Sequence, residues 1–213
     1  MATPQSFRPG FCLLVMAAAC VLLGCTRTPV VETILPPSLA SLDPQLRETI
    51  EAKLKQLQAD PGAVELHVDL ALIYAANDLW APAWRGFSNV TRLKPEEPLA
   101  SLYMGIAAAE MTDLPAARAS IQKVTELHPS FIPGWYRLGE LGLKAGDLAG
   151  AEIAFNKVAA LDPKEWRAFE GLGTVAFQRG DWNAAVAAFE KALQLEPQAH
   201  SVHHPLGLSL QRL

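Results

Sequence analysis

The chain has 213 residues, half of them hydrophobic but only 8% aromatic, so alanine and leucine carry much of the apolar content. That length allows one domain with a proper core, and the composition favours helix over sheet. A net charge of −4, with no stripe of clustered lysine and arginine, argues against nucleic acid as a partner.

The first 24 residues read as an address. Arg8 is the one positive side chain of MATPQSFRPG, and an uncharged run, FCLLVMAAACVLLG, extends from Phe11 to Gly24. A membrane span takes about 20 apolar residues, so this run fits the core of a secretory signal peptide better. At its end stands LLGC, with Leu22 three positions before Cys25 and Gly24 directly before it. This resembles the lipobox of bacterial lipoproteins. The resemblance implies lipidation of the Cys25 thiol, cleavage before it and acylation of the new amino terminus. Several acyl chains together anchor stably where one does not. Thr26, rather than Asp, follows the cysteine; by resemblance to the Gram-negative sorting rule, that implies the outer membrane with the body facing the periplasm. The residues by themselves leave a conventional signal peptide cut near AAAC, or an uncleaved anchor, as alternatives. Cys12, Cys20 and Cys25 are the only cysteines, so the body has no disulfide, thiol nucleophile or cysteine metal ligand.

Residues 25–42 form the next stretch. With three prolines and no helical period after Cys25, they are expected to be an extended, partly disordered tether that holds the body off the bilayer. Over 43–61, Asp43 is positioned to cap a helix with proline in its first turn. Leu46, Ile50, Leu54 and Leu57 share one face. This segment is expected to be an N-terminal capping helix.

Prolines then recur at 61, 95, 129, 163 and 197, always 34 residues apart. That ruler divides the chain into repeats 64–97, 98–131, 132–165 and 166–199, with a half repeat at 200–213. Position 20 is alanine four times, at Ala83, Ala117, Ala151 and Ala185. Position 8 is Ala71, Gly105, Gly139 and Gly173, and position 24 is Phe87, Ile121, Phe155 and Phe189. Position 30 is always leucine, at Leu93, Leu127, Leu161 and Leu195. Over residues 62–213 the chain resembles the tetratricopeptide repeat family. The resemblance implies an all-α, right-handed superhelix of antiparallel helix pairs, preceded by the capping helix and followed by an unpaired C-terminal helix. Positions 8 and 20 are expected to face each other at each helix crossing. Positions 7, 24, 27 and 30 are expected to form the buried stripe. Gly146 and Gly180 are predicted to be left-handed, with Asp147 and Asp181 capping the helices that follow. Each proline is predicted to end a repeat.

The same resemblance implies a concave surface lined by positions 2, 5, 9, 12 and 13 of the first helix of each repeat. The candidate partner groove is then Val68 and Leu72 from repeat 1 and Leu99, Leu102 and Ile106 from repeat 2. Repeat 3 adds Tyr136, Glu140, Leu143 and Lys144, and repeat 4 adds Arg167, Glu170 and Phe177. An apolar half followed by a mixed-charge half suits an amphipathic helix or an extended apolar segment. The Lys and Asn clamp of chaperone-tail-binding members is missing, because Val68 and Leu72 stand in its place.

Catalytic signatures are not found: there is no phosphate-binding glycine loop, G-x-S-x-G or H-E-x-x-H. The chain is therefore expected to be no enzyme and to need no cofactor. His200, His203 and His204 cluster near the end, and His200 and His204 at i, i+4 make the best case for a metal. Pro205 disfavours helix at His204, however, and no cysteine or acidic residue is close enough to complete a site. The histidines are expected to pack or face solvent. The expected function is a lipid-anchored scaffold that binds a protein or peptide of the cell envelope. Small lipoproteins of this layout resemble those of pilus biogenesis and secretin assembly, which implies assembly of such a machine. An adaptor of cell-wall hydrolases or proteases shares the architecture. A metal or cofactor protein acting through the C-terminal histidines is the rival from another class.

Overall fold

Every 34-residue proline coincides with a helix end in the computed structural model, which describes residues 31–34 and 39–213. The signal-peptide and Cys25 expectations lie outside the described residues. Helix α1 (Pro44–Ala59) comes first, with its N-terminus capped by Asp43, whose side chain accepts from the Gln45 and Leu46 amides. Four antiparallel pairs follow. They are α2 (Val64–Ala75) with α3 (Trp80–Leu93), α4 (Pro98–Glu110) with α5 (Leu114–Leu127), α6 (Ile132–Ala145) with α7 (Leu148–Leu161), and α8 (Trp166–Arg179) with α9 (Trp182–Leu195). Helix α10 (His200–Arg212) stacks on α9. Each pair packs on the next, giving an all-helical superhelical solenoid.

The prolines act through the residue before them. Lys94, His128, Asp162 and Glu196 all leave the helix at φ between −136° and −129°. Proline forces its predecessor out of the α region in this way. The turn inside each repeat is equally periodic. Gly146 and Gly180 are left-handed at φ 74° and 78°, and Asp147 and Asp181 accept hydrogen bonds from the Gly150 and Ala184 amides. The first two repeats reach the same conformation without glycine, at Asp78 (φ 58°) and Thr112 (φ 64°).

The core corrects two expectations about packing. Position 8 meets position 24 more closely than position 20: a Cβ on Gly105 would lie 2.5 Å from the Ile121 side chain and 3.2 Å from the Ala117 carbonyl oxygen. A Cβ on Gly139 or Gly173 would lie 2.7 Å or 2.6 Å from the position-24 ring, Phe155 or Phe189. The glycine thus makes room for an aromatic ring. Position 20 is approached more closely by position 11: a Cβ on Gly142 would lie 2.9 Å from the Ala151 Cβ. All four position-20 alanines and the position-24 side chains are buried. Position 30 is not part of that core. Leu127 is 51% exposed and the other three leucines are half-buried; each is the last residue of its helix. At position 4, His67 and Trp135 reach back to the carbonyls of Pro61 and Pro129, at 3.0 Å and 2.9 Å. Those bonds tie two repeats to the turns before them.

The two ends also depart from expectation. The stretch read as a free tether is in part docked: Ile34 is buried with Ile50, Leu57, Leu70 and Tyr74, and Leu39 and Leu42 pack against the same cluster. Burying those apolar side chains outweighs the entropy of a loose strand. At the other end, α10 runs through Pro205 rather than starting after His204. The bond lost is the one to the Ser201 carbonyl, on an exposed residue where water can replace it. Packing of buried Val202 and half-buried Leu206 against the Phe189 cluster holds the helix together.

Candidate functional site

The first helices of successive pairs, α2, α4, α6 and α8, bring most of the expected groove residues to a run of adjoining hollows. The largest, of about 480 Å³, lies between α2 and α4 and is walled by Val64, Val68, Leu72, Leu99 and Tyr103, with Phe87 and Val90 contributed by α3. Its rim carries Glu65, Asp69, Lys94 and Glu97. A second hollow of about 340 Å³ continues from Leu99, Leu102 and Ile106 to Tyr136, Arg137 and Arg167. A third, of about 220 Å³, lies between α4 and α6 and adds Glu110, Glu140 and Lys144. All three hollows combine apolar walls with charged side chains.

Exposure separates residues that can meet a partner from those that hold the fold. Leu72 is 42% and Leu99 47% exposed, so both present apolar surface. Leu102 is 5% exposed and belongs to the core with Ile121, Val124 and Leu141. It forms the floor of the second hollow, and a charge there would disrupt packing before it disrupted binding. Leu143 packs against the Ala151 and Phe155 cluster, and Phe177 makes an edge-on contact with Trp182 at 5.4 Å. Neither lines these three hollows, because each side chain packs against the second helix of its own pair. Glu170 is half-buried and close enough to Tyr136 to act on its hydroxyl.

Position 6 is the part of the site that the sequence reading missed. Tyr103 is 38% exposed, lines both larger hollows and stacks on Phe87 with centroids 5.2 Å apart. Arg137 lines the second and third hollows and pairs with Glu140 at 2.7 Å. The signal was present in the period: Tyr103 follows Leu99 by four residues and precedes Ile106 by three, so all three share a helix face.

Electrostatics make the centre of this surface polar but not reactive. Burial, then the Glu140 carboxylate and the charge of Glu170, push the Tyr136 hydroxyl up to about 12, with Arg167 opposing. It stays a neutral phenol that can donate or accept a hydrogen bond. Such an arrangement can bind a chain by apolar burial and orient it by charge. At the C-terminus, His200 and His203 stand with ring centroids 6.1 Å apart and are exposed together with His204. Among the described residues no group of three or more His, Cys, Asp or Glu side chains is arranged to hold a metal ion. No described helix is long and apolar enough to cross a membrane.

Comparison with known proteins agrees with this geometry. A family model described as tetratricopeptide repeat matches residues 102–165 and 136–200. No curated protein matches the chain. Among solved structures, a crystal structure of MamA is 26% identical, covers 73% of this chain and 91% of its own, and superposes with a TM-score of 0.67. MamA from Desulfovibrio magneticus RS-1 is likewise 26% identical, over 70% of this chain and 84% of its own, at 0.65. YrrB, described as a TPR protein with an unusual peptide-binding site, is 20% identical over 79% of this chain and 84% of its own, at 0.64. At that identity the likeness to YrrB speaks for the fold alone.

Proposed function

Because the chain belongs to the tetratricopeptide repeat family of interaction scaffolds, we propose that it is a non-catalytic adaptor, lipid-anchored through Cys25, that recruits a protein of a cell-envelope assembly machine such as a pilus or secretion system. One observation carries the binding part of the reading. The 480 Å³ hollow between α2 and α4 is apolar, open and rimmed by charge, with Leu72, Leu99 and Tyr103 left partly exposed around it. Surface leucines scattered singly need no explanation, but these adjoin one another in one concavity, which is how interaction patches differ from ordinary surface. An amphipathic helix or an extended apolar segment would bury its side chains there. The charges of Arg137, Lys144 and Arg167 further along would set its direction.

The anchoring part rests on the LLGC sequence and the charge-free run before it. The envelope machine rests on the resemblance of layout. Cross-linking in intact cells, followed by capture of the full chain, tests the client. Pilus or secretion components should be enriched, and Leu72→Glu with Leu99→Glu should lose them while the helical signal is unchanged. Enrichment of cell-wall hydrolases instead would replace the pilus reading. Capture unaffected by the double charge substitution would refute the groove. Cys25→Ser should move the chain from the membrane to the soluble fraction, and persistent membrane association would refute lipid anchoring.

A further inference from the structure

Repeat 1 differs from the others where the segment 31–34 meets it. Position 26 is an exposed lysine in the other repeats, at Lys123, Lys157 and Lys191, but in repeat 1 it is Asn89, which is fully buried. The Asn89 amide reads the backbone of Glu32 in both directions. Its Oδ1 accepts from the Glu32 amide at 2.9 Å, and its Nδ2 donates to the Glu32 carbonyl at 2.8 Å. Arg92, one turn on, pairs with the Glu32 carboxylate at 2.6 Å. Behind Asn89 stands buried His67, whose Nε2 must donate to the Pro61 carbonyl; its Nδ1 then faces the Asn89 Nδ2 at 3.4 Å. Two residues on, Ile34 is 1% exposed in the core. A paired amide, a salt bridge and a plugged isoleucine together make a built receptor for an extended strand.

We infer that residues 31–34 are a docked strap that fixes how closely the repeat domain is held to the bilayer, an inference that rests on the reading of Cys25 as the lipid anchor. Val31 stands six residues after Cys25, a reach of at most about 20 Å for extended chain. Released as far as Leu39, which packs on the core, the same tether would reach about 45 Å. The strap converts a long lead into a short one and presents the α1 and α3 end of the solenoid to the membrane. The groove along α2 to α8 is then kept within that shorter reach of the bilayer.

The test uses the full lipidated chain in phosphatidylethanolamine–phosphatidylglycerol vesicles that carry a dye-labelled headgroup. The body has no cysteine after Cys25, so Lys55→Cys on exposed α1 accepts a single second dye. Two variants open the strap differently. Asn89→Ala removes the receptor amide. Glu32→Pro removes both the donated N–H and the carboxylate while leaving the helix pair intact, which guards against misfolding of the first variant. Both should roughly halve energy transfer to the headgroup dye by lengthening the free tether. Asn89→Ala should also speed exchange of the Glu32 amide about tenfold relative to the parent chain. Equal transfer in the parent and Glu32→Pro, or equal exchange of the Glu32 amide in the parent and Asn89→Ala, would overturn the strap. Failure of the parent chain to stay on vesicles would overturn the anchor and the fixed height with it, and protected exchange at 31–34 would then still report docking by itself.

Discussion

A pair of glycine substitutions at the same repeat position should move stability in opposite directions. Gly173 and Gly207 both occupy position 8 of their repeats and both lie inside helices, α8 and α10. Alanine in a helix interior is worth about 1 kcal/mol over glycine. At Gly207 a new Cβ meets nothing within 4 Å, so the whole gain is kept. At Gly173 the Cβ would stand 2.6 Å from Cδ1 and Cε1 of Phe189 and 3.0 Å from its Cγ. Phe189 is fully buried and has nowhere to move. Overpacking of a dense core costs about 1–3 kcal/mol, and three ring atoms crowded at once put this case near the top of that range. The net is a loss of about 1–2 kcal/mol for Gly173→Ala against a gain of about 1 kcal/mol for Gly207→Ala. For a chain of this size, melting temperatures should differ by about 5–10 °C. Far-UV circular dichroism during thermal and urea unfolding measures both. If Gly173→Ala melts as high as Gly207→Ala, the glycine is not making room for the ring.

Further outcomes follow from four single side chains. Thr112 is a β-branched residue held at φ 64°, so Thr112→Gly should raise stability by about 1 kcal/mol, while Asp78→Gly should gain less because aspartate tolerates that region better. Tyr74 is fully buried, and its hydroxyl has no hydrogen-bond partner among the described residues, so Tyr74→Phe should gain about 1 kcal/mol in urea unfolding at neutral pH. Burial pushes the Tyr74 phenol up to about 12. The fold therefore holds it neutral while the unfolded chain ionises above about 10. Stability should fall from about pH 10 towards 12, and less steeply in Tyr74→Phe; equal slopes would refute the assignment. The bond from the Gly150 amide, then the Arg118 guanidinium, hold Asp147 below the usual carboxylate range. Its stabilisation is present above the unfolded value and is lost as pH falls through the folded one. Asp147→Ala should thus be less stable than the parent at neutral pH, and the two should converge in strong acid.

Much of the fold was legible because it repeats. The left-handed turns at Gly146 and Gly180, the caps at Asp147 and Asp181 and the helix ends before each proline obey rules that act over four or five residues. The candidate site was legible in outline for the same reason. Positions 2, 5 and 9 led to Val68, Leu72, Leu99 and Ile106, all of which line hollows. Position 12 failed at Leu143 and Phe177, and Leu102 proved to be floor rather than wall. Solvent exposure depends on how far one pair rotates on the next, and a 34-residue ruler carries no information about that angle.

The sequence by itself determined the helix pairs, their order, the turn chemistry and the choice of glycine or alanine at the crossings. These depend on local backbone preference and on a pattern seen four times over. Only the tertiary structure decided that position 8 answers to position 24, because which small residue meets which large one is set by helix crossing geometry. It also decided that an aperiodic stretch before the repeats is docked. Asn89 and Glu32 are 57 residues apart, Asn89 occurs once at its position, and a contact made once between distant residues leaves no period to read.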